Sequence, residues 1–404
     1  MTVSAIKTPT RDVGRVSRQL AALPPYVFAE LDRLKTDARQ RGLPLIDLGI
    51  GSPDKPTPQP IVDAMQRAVA DPATHGYPPF RGVKAFLESA GNFMQRRFGV
   101  SVDPATDILA LAGAKEGIAQ IVAATVGSGD VVLVPEIFYP VYARAAQLSG
   151  AQVRWVPMRA NTGFLADFDA VPREVIRRAR ILIVNYPNNP TGTIAEREYF
   201  ARAVAFAHEH GLMLISDLAY SELTYDGFVA PSVLEIPGAS DVAVEFHSCS
   251  KSFNMAGARV GFAVGSEPLI SALAAYRTNV GYGAPTAVQY GGAYAFDHYS
   301  EMSSPIAERY RTRRDAIVAA MRRTGREANA ARGAMYLWMR IPEGVDDWTF
   351  VKTMMDDAHV VVTPGVAFGP GGAGYYRISL VAEPNVLEAA VEKIDAACNA
   401  RGWR

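Results

Sequence analysis

Cysteine is nearly absent from this chain. Its 404 residues include only Cys249 and Cys398, which excludes a framework of several disulfides and any zinc site built on cysteine. Histidine is scarce and scattered. His208 and His210 are two residues apart, so they point to different sides of a helix, and no HExxH spacing occurs. No stretch approaches the ~18 consecutive apolar residues of a membrane span. The N-terminus, MTVSAIKTPTRDVGRVSRQL, lacks the apolar stretch of a secretory signal, so residues 1–25 read as a polar arm and the cytoplasm is the expected location. Net charge is missing as well. Forty-one basic residues balance 41 acidic ones, whereas nucleic-acid binders carry a net basic face. Neither a nucleic-acid nor a membrane partner is expected. A G-x-S-x-G nucleophile elbow is absent too.

What is present is enough apolar material, 49% of 404 residues, for two or more domains with a large core. Short apolar runs lie at 108–112, 131–134, 152–156, 181–185, 212–216, 242–247 and 260–264. Helix-like stretches at 114–126, 140–149 and 195–210 alternate with them. This alternation predicts an α/β domain over 51–285, with a mostly parallel sheet covered on both faces. The C-terminal third groups helical patterns at 305–324 and 386–400 with short strands around 334–340, 360–363 and 375–380. Residues 26–40 are also helical in pattern. A smaller α+β domain is expected from 26–50 together with 286–404. Gly369, Gly371 and Gly374 fit G-x-G-x-x-G, but the following YYRISL reads as a strand where a dinucleotide site needs a helix. A tight loop is the better reading.

The segment with chemistry in it is Ser248-Cys-Ser250-Lys251, followed eight residues later by Arg259. A lysine beside serines is weak evidence alone. Here it follows an apolar strand of an α/β domain, where ligand sites gather at strand ends. The segment resembles the cofactor-lysine signature of class I/II aminotransferases, enzymes that use pyridoxal phosphate (PLP) on the fold-type-I scaffold. LPPYVFAELDRLK, NYPNNPTG, DLAYSELTYDG and AVEFHSCSKSFNMAG are similar to the subgroup of LL-diaminopimelate and alanine-type aminotransferases. The resemblance runs from about Pro24 to the C-terminus. It implies a large domain with a mostly parallel seven-stranded sheet, a smaller α+β domain, and a homodimer with shared active sites. The implied activity is amino-group transfer between an L-amino acid and a 2-oxo acid by a ping-pong mechanism. LL-diaminopimelate with 2-oxoglutarate, an alanine/glutamate pair and a specialised amino acid of secondary metabolism are the substrate options.

The resemblance also implies roles. Lys251 holds PLP covalently and moves the proton at the substrate carbon. A free lysine, with a pKa of ~10.4, must be lowered by burial and nearby cations to do so. Asp217 pairs with the ring nitrogen, although an Asp at a strand end could also cap the next turn. Asn189 and Tyr220 reach the ring oxygen, and Tyr139 stacks on the ring. Ala114 and Lys115 hold the phosphate mostly through backbone at a helix N-terminus, with Ser248, Ser250 and Arg259 completing the cup. Tyr77 is lent to the neighbouring subunit's phosphate. Arg377 clamps the substrate α-carboxylate, with Asn189 near it. Gly51 allows close backbone approach, and Tyr26 borders the substrate pocket. No metal is implied. Two departures stand out. Ala114 replaces the subgroup's usual Ser. Thr278, next to Arg277, stands where dicarboxylate-specific relatives keep an arginine that reaches the partner's site, which disfavours an aspartate-type specificity. A β-lyase, decarboxylase or cyclase would use the same cofactor residues. A PLP-binding regulator would need a DNA-binding module, for which residues 1–25 are too few.

Overall fold

The computed structural model describes residues 16–328 and 330–403. Residues 1–15, most of the expected arm, lie outside the described residues. The remainder of the arm contains one helical turn, Arg18–Ala21, capped by the Ser17 hydroxyl.

After the short strand β1 (Ile46–Asp47), seven strands build the main sheet: β2 (Ile108–Leu111), β3 (Val131–Pro135), β4 (Gln152–Val156), β5 (Ala179–Asn185), β6 (Met213–Asp217), β7 (Ala243–Ser248) and β8 (Gly261–Gly265). Their spatial order is β2-β8-β7-β6-β5-β3-β4. Strands β3 to β7 run parallel, and β8 is antiparallel to both its neighbours. Helices cover both faces. Ala114–Thr125 and Val141–Leu148 pack on one, Arg197–His210 and Lys84–Phe98 on the other. That cover is why most of these strands are largely apolar, while central β7 buries Glu245 and His247, hydrogen-bonded to each other at 2.9 Å. Edge strand β4 is the exception to that cover: its exposed Gln152 and Arg154 blunt an edge that would otherwise recruit another strand. Because five strands share a direction, their C-terminal ends, including Asn185, Asp217 and Ser248, meet along one rim.

The smaller domain holds β9 (Tyr336–Arg340), β10 (Val360–Val361), β11 (Thr363–Pro364) and β12 (Tyr375–Ser379). β11, β12 and β9 form an antiparallel sheet, while β10 pairs parallel with β1. The single strand expected at 360–363 is therefore two, because the chain changes partners at Val362. Leu31, Ala38 and Leu48 of the N-terminal segment share a core with Phe350, Met354, Leu387 and Ile394. Each of the buried leucine, isoleucine, methionine and phenylalanine side chains contributes roughly 1.5–3 kcal/mol.

The helix Thr286–Asp297 packs elsewhere than the boundary at Pro285 suggests. Its Ala293, Ala295 and Phe296 join Phe86, Phe93 and Phe262 of the large domain. Gln289 ties it there, accepting from the Val83 N–H at 2.8 Å. The next helix, Tyr299–Arg323, spans both cores, with Met302 in one and Ile317 in the other. It starts six residues before Pro305, which sits inside its second turn; a proline favoured as a first helical residue reads as the start. Arg313 on this helix is buried and grips Asp54 with two bonds of 2.7 and 2.8 Å, holding the Gly51–Asp54 segment against the small domain. Among the described residues, no helix is long and apolar enough to cross a membrane.

Candidate active site

The rim of the sheet and the small domain enclose a cavity of about 270 Å³. Local capping aims the side chains into it. Ser248 ends β7 and accepts from the Ser250 N–H at 3.2 Å, starting the short helical turn Cys249–Ser252 that carries Lys251. Asn185 ends β5. Its amide donates to the Asp217 carbonyl at 2.8 Å and its oxygen accepts from the Asn189 N–H at 3.1 Å. The helix Ala114–Thr125 starts after Gly113, which has φ 93° and no side chain to cap the free N–H groups. A Cβ there would lie 2.3 Å from Arg259 Nη2, so only glycine lets the guanidinium lie against this helix end.

Lys251, Asp217, Tyr220, Ala114, Lys115, Tyr139, Asn189, Ser248, Ser250, Arg259, Arg377, Gly51 and Tyr26 all line the cavity. Tyr77 does not. It is 81% exposed and stacks on Tyr282 at 4.4 Å. Thr278 is exposed, and Arg277 beside it is buried with a guanidinium donor on the Ala110 carbonyl. Seven lining residues were missed from sequence: Phe28, Ile50, Ala219 and Ala256, whose side chains bring no hydrogen-bonding group, and Tyr142, Asn185 and Tyr336, whose side chains do. Tyr142 lies one turn after Tyr139, a spacing that could have flagged it. Asn185 is a strand end. Tyr336 comes from β9 in the other domain, and no local pattern points to it.

The cavity has a surplus of positive charge. Lys115, Lys251, Arg259 and Arg377 line it, and among the described residues none of them pairs with a carboxylate. Lys251 Nζ donates to the Gly51 carbonyl. Burial, then Arg377 and Arg259, lowers its pKa to about 8. Burial, then Arg259, also lowers Lys115. Arg377 is 2% exposed. It donates to Asn189 Oδ1 at 2.9 Å and the Gly49 carbonyl at 2.8 Å, lies 4.3 Å over the Tyr336 ring, and has no partner for Nε. A Cβ at Gly51 would lie 2.2 Å from the Tyr336 hydroxyl.

Among the described residues, Asp217 is the one lining carboxylate. Burial raises its pKa, while the Tyr142 hydroxyl, donating to Oδ2 at 2.6 Å, and the Ala219 N–H, at 3.2 Å from Oδ1, oppose the rise. Tyr142→Phe should therefore make Asp217 a weaker acid. A hydrogen bond to a charged group is worth about 1.5–3 kcal/mol. The affinity of the cofactor-free protein for PLP should fall by roughly tenfold or more; unchanged affinity would show that Tyr142 does not support this carboxylate.

Comparison with known proteins bears on what this cavity takes. The profile of the family "Aminotransferase class I and II" matches residues 44–394. The chain belongs to the class I and II aminotransferases. An LL-diaminopimelate aminotransferase of Desulforudis audaxviator is 41% identical, over 94% of this chain and 96% of that protein. A probable N-succinyldiaminopimelate aminotransferase from Thermus thermophilus is 40% identical, with a TM-score of 0.87 over 92% of this chain and all of that one. Substrate-bound BacF from Bacillus subtilis superposes with a TM-score of 0.90 at 33% identity, over 94% of this chain and 97% of that one. This aminotransferase has the fold-type-I architecture and uses PLP, as its family does.

Proposed function

We propose that this aminotransferase takes LL-diaminopimelate as amino donor and 2-oxoglutarate as acceptor. The observation that carries the proposal is a pair of unmatched cations in the substrate space. Arg377 has an open Nε, and the Lys115 amine lies 5.9 Å from both the Tyr26 and Tyr139 rings. Both proposed substrates carry two carboxylates, one for each cation. The full-length similarity to LL-diaminopimelate aminotransferases supports the same reading. Arg144 adds positive potential beside Tyr26, and its Nη1 is buried without a partner.

The residues present fit PLP. An uncapped helix N-terminus with Arg259 against it suits a phosphate, with Ser248 and Ser250 as further donors. One buried carboxylate, Asp217, suits the ring nitrogen. When bound, PLP supplies an electron sink for negative charge at the donor's Cα. Asp217 would keep the ring nitrogen protonated, and Asn189 and Tyr220 would donate to the ring oxygen. Tyr139 would cover one ring face. Arg377 would fix the donor's α-carboxylate and so orient the bond to be broken. Lys251 would hold the cofactor and, as a free amine, move the proton at Cα.

Two copies of the chain would complete the site. Support comes from an exposed ladder of stacked rings, Tyr77, Tyr282 and Phe80. A single 43.6 kDa species in sedimentation would overturn this assembly.

The substrate is tested on PLP-loaded protein mixed with one amino acid at a time and no oxo acid. LL-diaminopimelate and L-glutamate should each bleach the visible cofactor band and release an oxo acid, with L-alanine far slower. Bleaching by alanine and glutamate but not by LL-diaminopimelate would overturn the donor and leave the transfer chemistry standing.

A further inference from the structure

The G-x-G-x-x-G run takes part in no step above. It belongs to the loop between β11 and β12, which lies on the turn that follows β3. Phe138 donates its N–H to the Phe368 carbonyl at 2.7 Å, and Gly371 donates to the Glu136 carbonyl at 3.1 Å. The approach leaves no room for side chains. A Cβ on Gly369 would lie 2.3 Å from the Phe138 ring and 2.4 Å from the Glu136 carbonyl oxygen. One on Gly371 would lie 2.9 Å from Glu136 Cβ. Gly369 also holds φ at 108°, where other residues are strained. The two domains therefore meet backbone to backbone at Glu136–Phe138, and the next residue is Tyr139.

The same loop also reaches Arg377 in the cavity lining. The Phe368 ring centroid is 4.7 Å from the Arg377 guanidinium, and the ring is edge-on to Phe28 at 5.9 Å. Asp347 stiffens the loop by accepting from the Val366 and Gly374 N–H groups at 3.0 Å each.

We propose that this glycine loop positions Tyr139. Gly369 and Gly371 let the small domain hold the Glu136–Phe138 turn in the conformation that presents the Tyr139 ring to the cofactor, and Phe368 ties that turn to Arg377. These are positioning residues, acting through Tyr139. A Cβ at Gly371 must displace the turn by a few tenths of an ångström, and small displacements of reacting groups are costly. The inference rests on PLP lying against Tyr139 in this cavity.

The experiment compares PLP-loaded wild type with Gly371→Ala and Gly374→Ala. Gly374 has φ 80° and open space around its Cα, so its alanine strains the same loop without touching the turn. Gly371→Ala should weaken or shift the visible circular-dichroism band of bound PLP and slow the L-glutamate half-reaction about tenfold. Gly374→Ala should lower the melting temperature alone. In a Tyr139→Ala background, Gly371→Ala should slow the half-reaction no further, because both changes act through one ring. Where Gly371→Ala does not fold, Phe138→Leu, which removes the ring that Gly369 abuts, carries the same expectations. An unchanged band in the folded variant, or additive effects in the double variant, overturns the proposal. A wild-type protein with no PLP band overturns the placement of the cofactor and this inference together.

Discussion

PLP-loaded Lys251→Ala protein should lose the amino-donor half-reaction by about four orders of magnitude, the range of a lost acid–base and covalent group. No other amine in the cavity can substitute. Lys115 is held over the Tyr26 and Tyr139 rings, away from the Gly51 carbonyl that Lys251 Nζ reaches. The loss will not be a loss of folding. Lys251 has no carboxylate partner to orphan, and burial already disfavours its charge, so the melting temperature of the variant should not fall. The same burial sets a pH dependence. Burial makes the ammonium shed its proton at about 8 in place of the usual ~10.4. PLP uptake by cofactor-free protein needs the neutral amine, so its rate should rise with pH through about 8 and then level off. Between that value and ~10.4 the unfolded chain binds more protons than the folded one, so the cofactor-free protein should also gain stability as pH rises. An uptake midpoint near that of a free lysine, or a half-reaction that survives in Lys251→Ala, would remove Lys251 from the chemistry.

Arg377→Lys should lower kcat/KM for the donor by roughly 100- to 1000-fold, mainly through KM. Charge-assisted bonds to a carboxylate are worth about 1.5–3 kcal/mol each, and a guanidinium can make two at once. Two of its nitrogens already bond Asn189 and Gly49, which fixes the plane of the fork and leaves Nε free. A lysine has one nitrogen. Its three N–H donors leave from that single point, so they cannot span the Asn189 oxygen, the Gly49 carbonyl and the substrate as the fork does. The visible PLP band should be nearly unchanged, because the proposed clamp acts on the substrate carboxylate and not on the ring. A loss below tenfold would place the carboxylate clamp elsewhere.

Much of the site could be read from local sequence. The seven expected runs became the seven strands, with ends shifted by at most two residues, because burial between two layers of helices selects largely apolar strands. Ser248, Lys251 and Arg259 lie within twelve residues, and the turn that aims Lys251 is capped by its own neighbour, Ser248. Asn189 likewise is held by Asn185, four residues away.

Other features needed the folded chain. Helix Thr286–Asp297 follows a proline that looks like a domain border, yet its apolar face packs in one cluster with Phe86 and Phe93, some 200 residues away. The Tyr142–Asp217 and Tyr220–Tyr336 hydrogen bonds join residues separated by 75 and 116 positions. The glycine run matched a nucleotide motif letter for letter, but Gly369 and Gly371 are there because the Glu136–Phe138 turn comes within contact distance, and Gly374 because its φ is 80°. The sequence by itself determined strand and helix periodicity, the capped turns and most of the polar residues that line the cavity, since each is set by neighbours within about one turn or one strand. Only the tertiary structure decided which domain each helix joins, how far Lys251 is lowered and what supports Asp217 and Tyr139. Those depend on burial and contacts between distant segments, which no local pattern encodes.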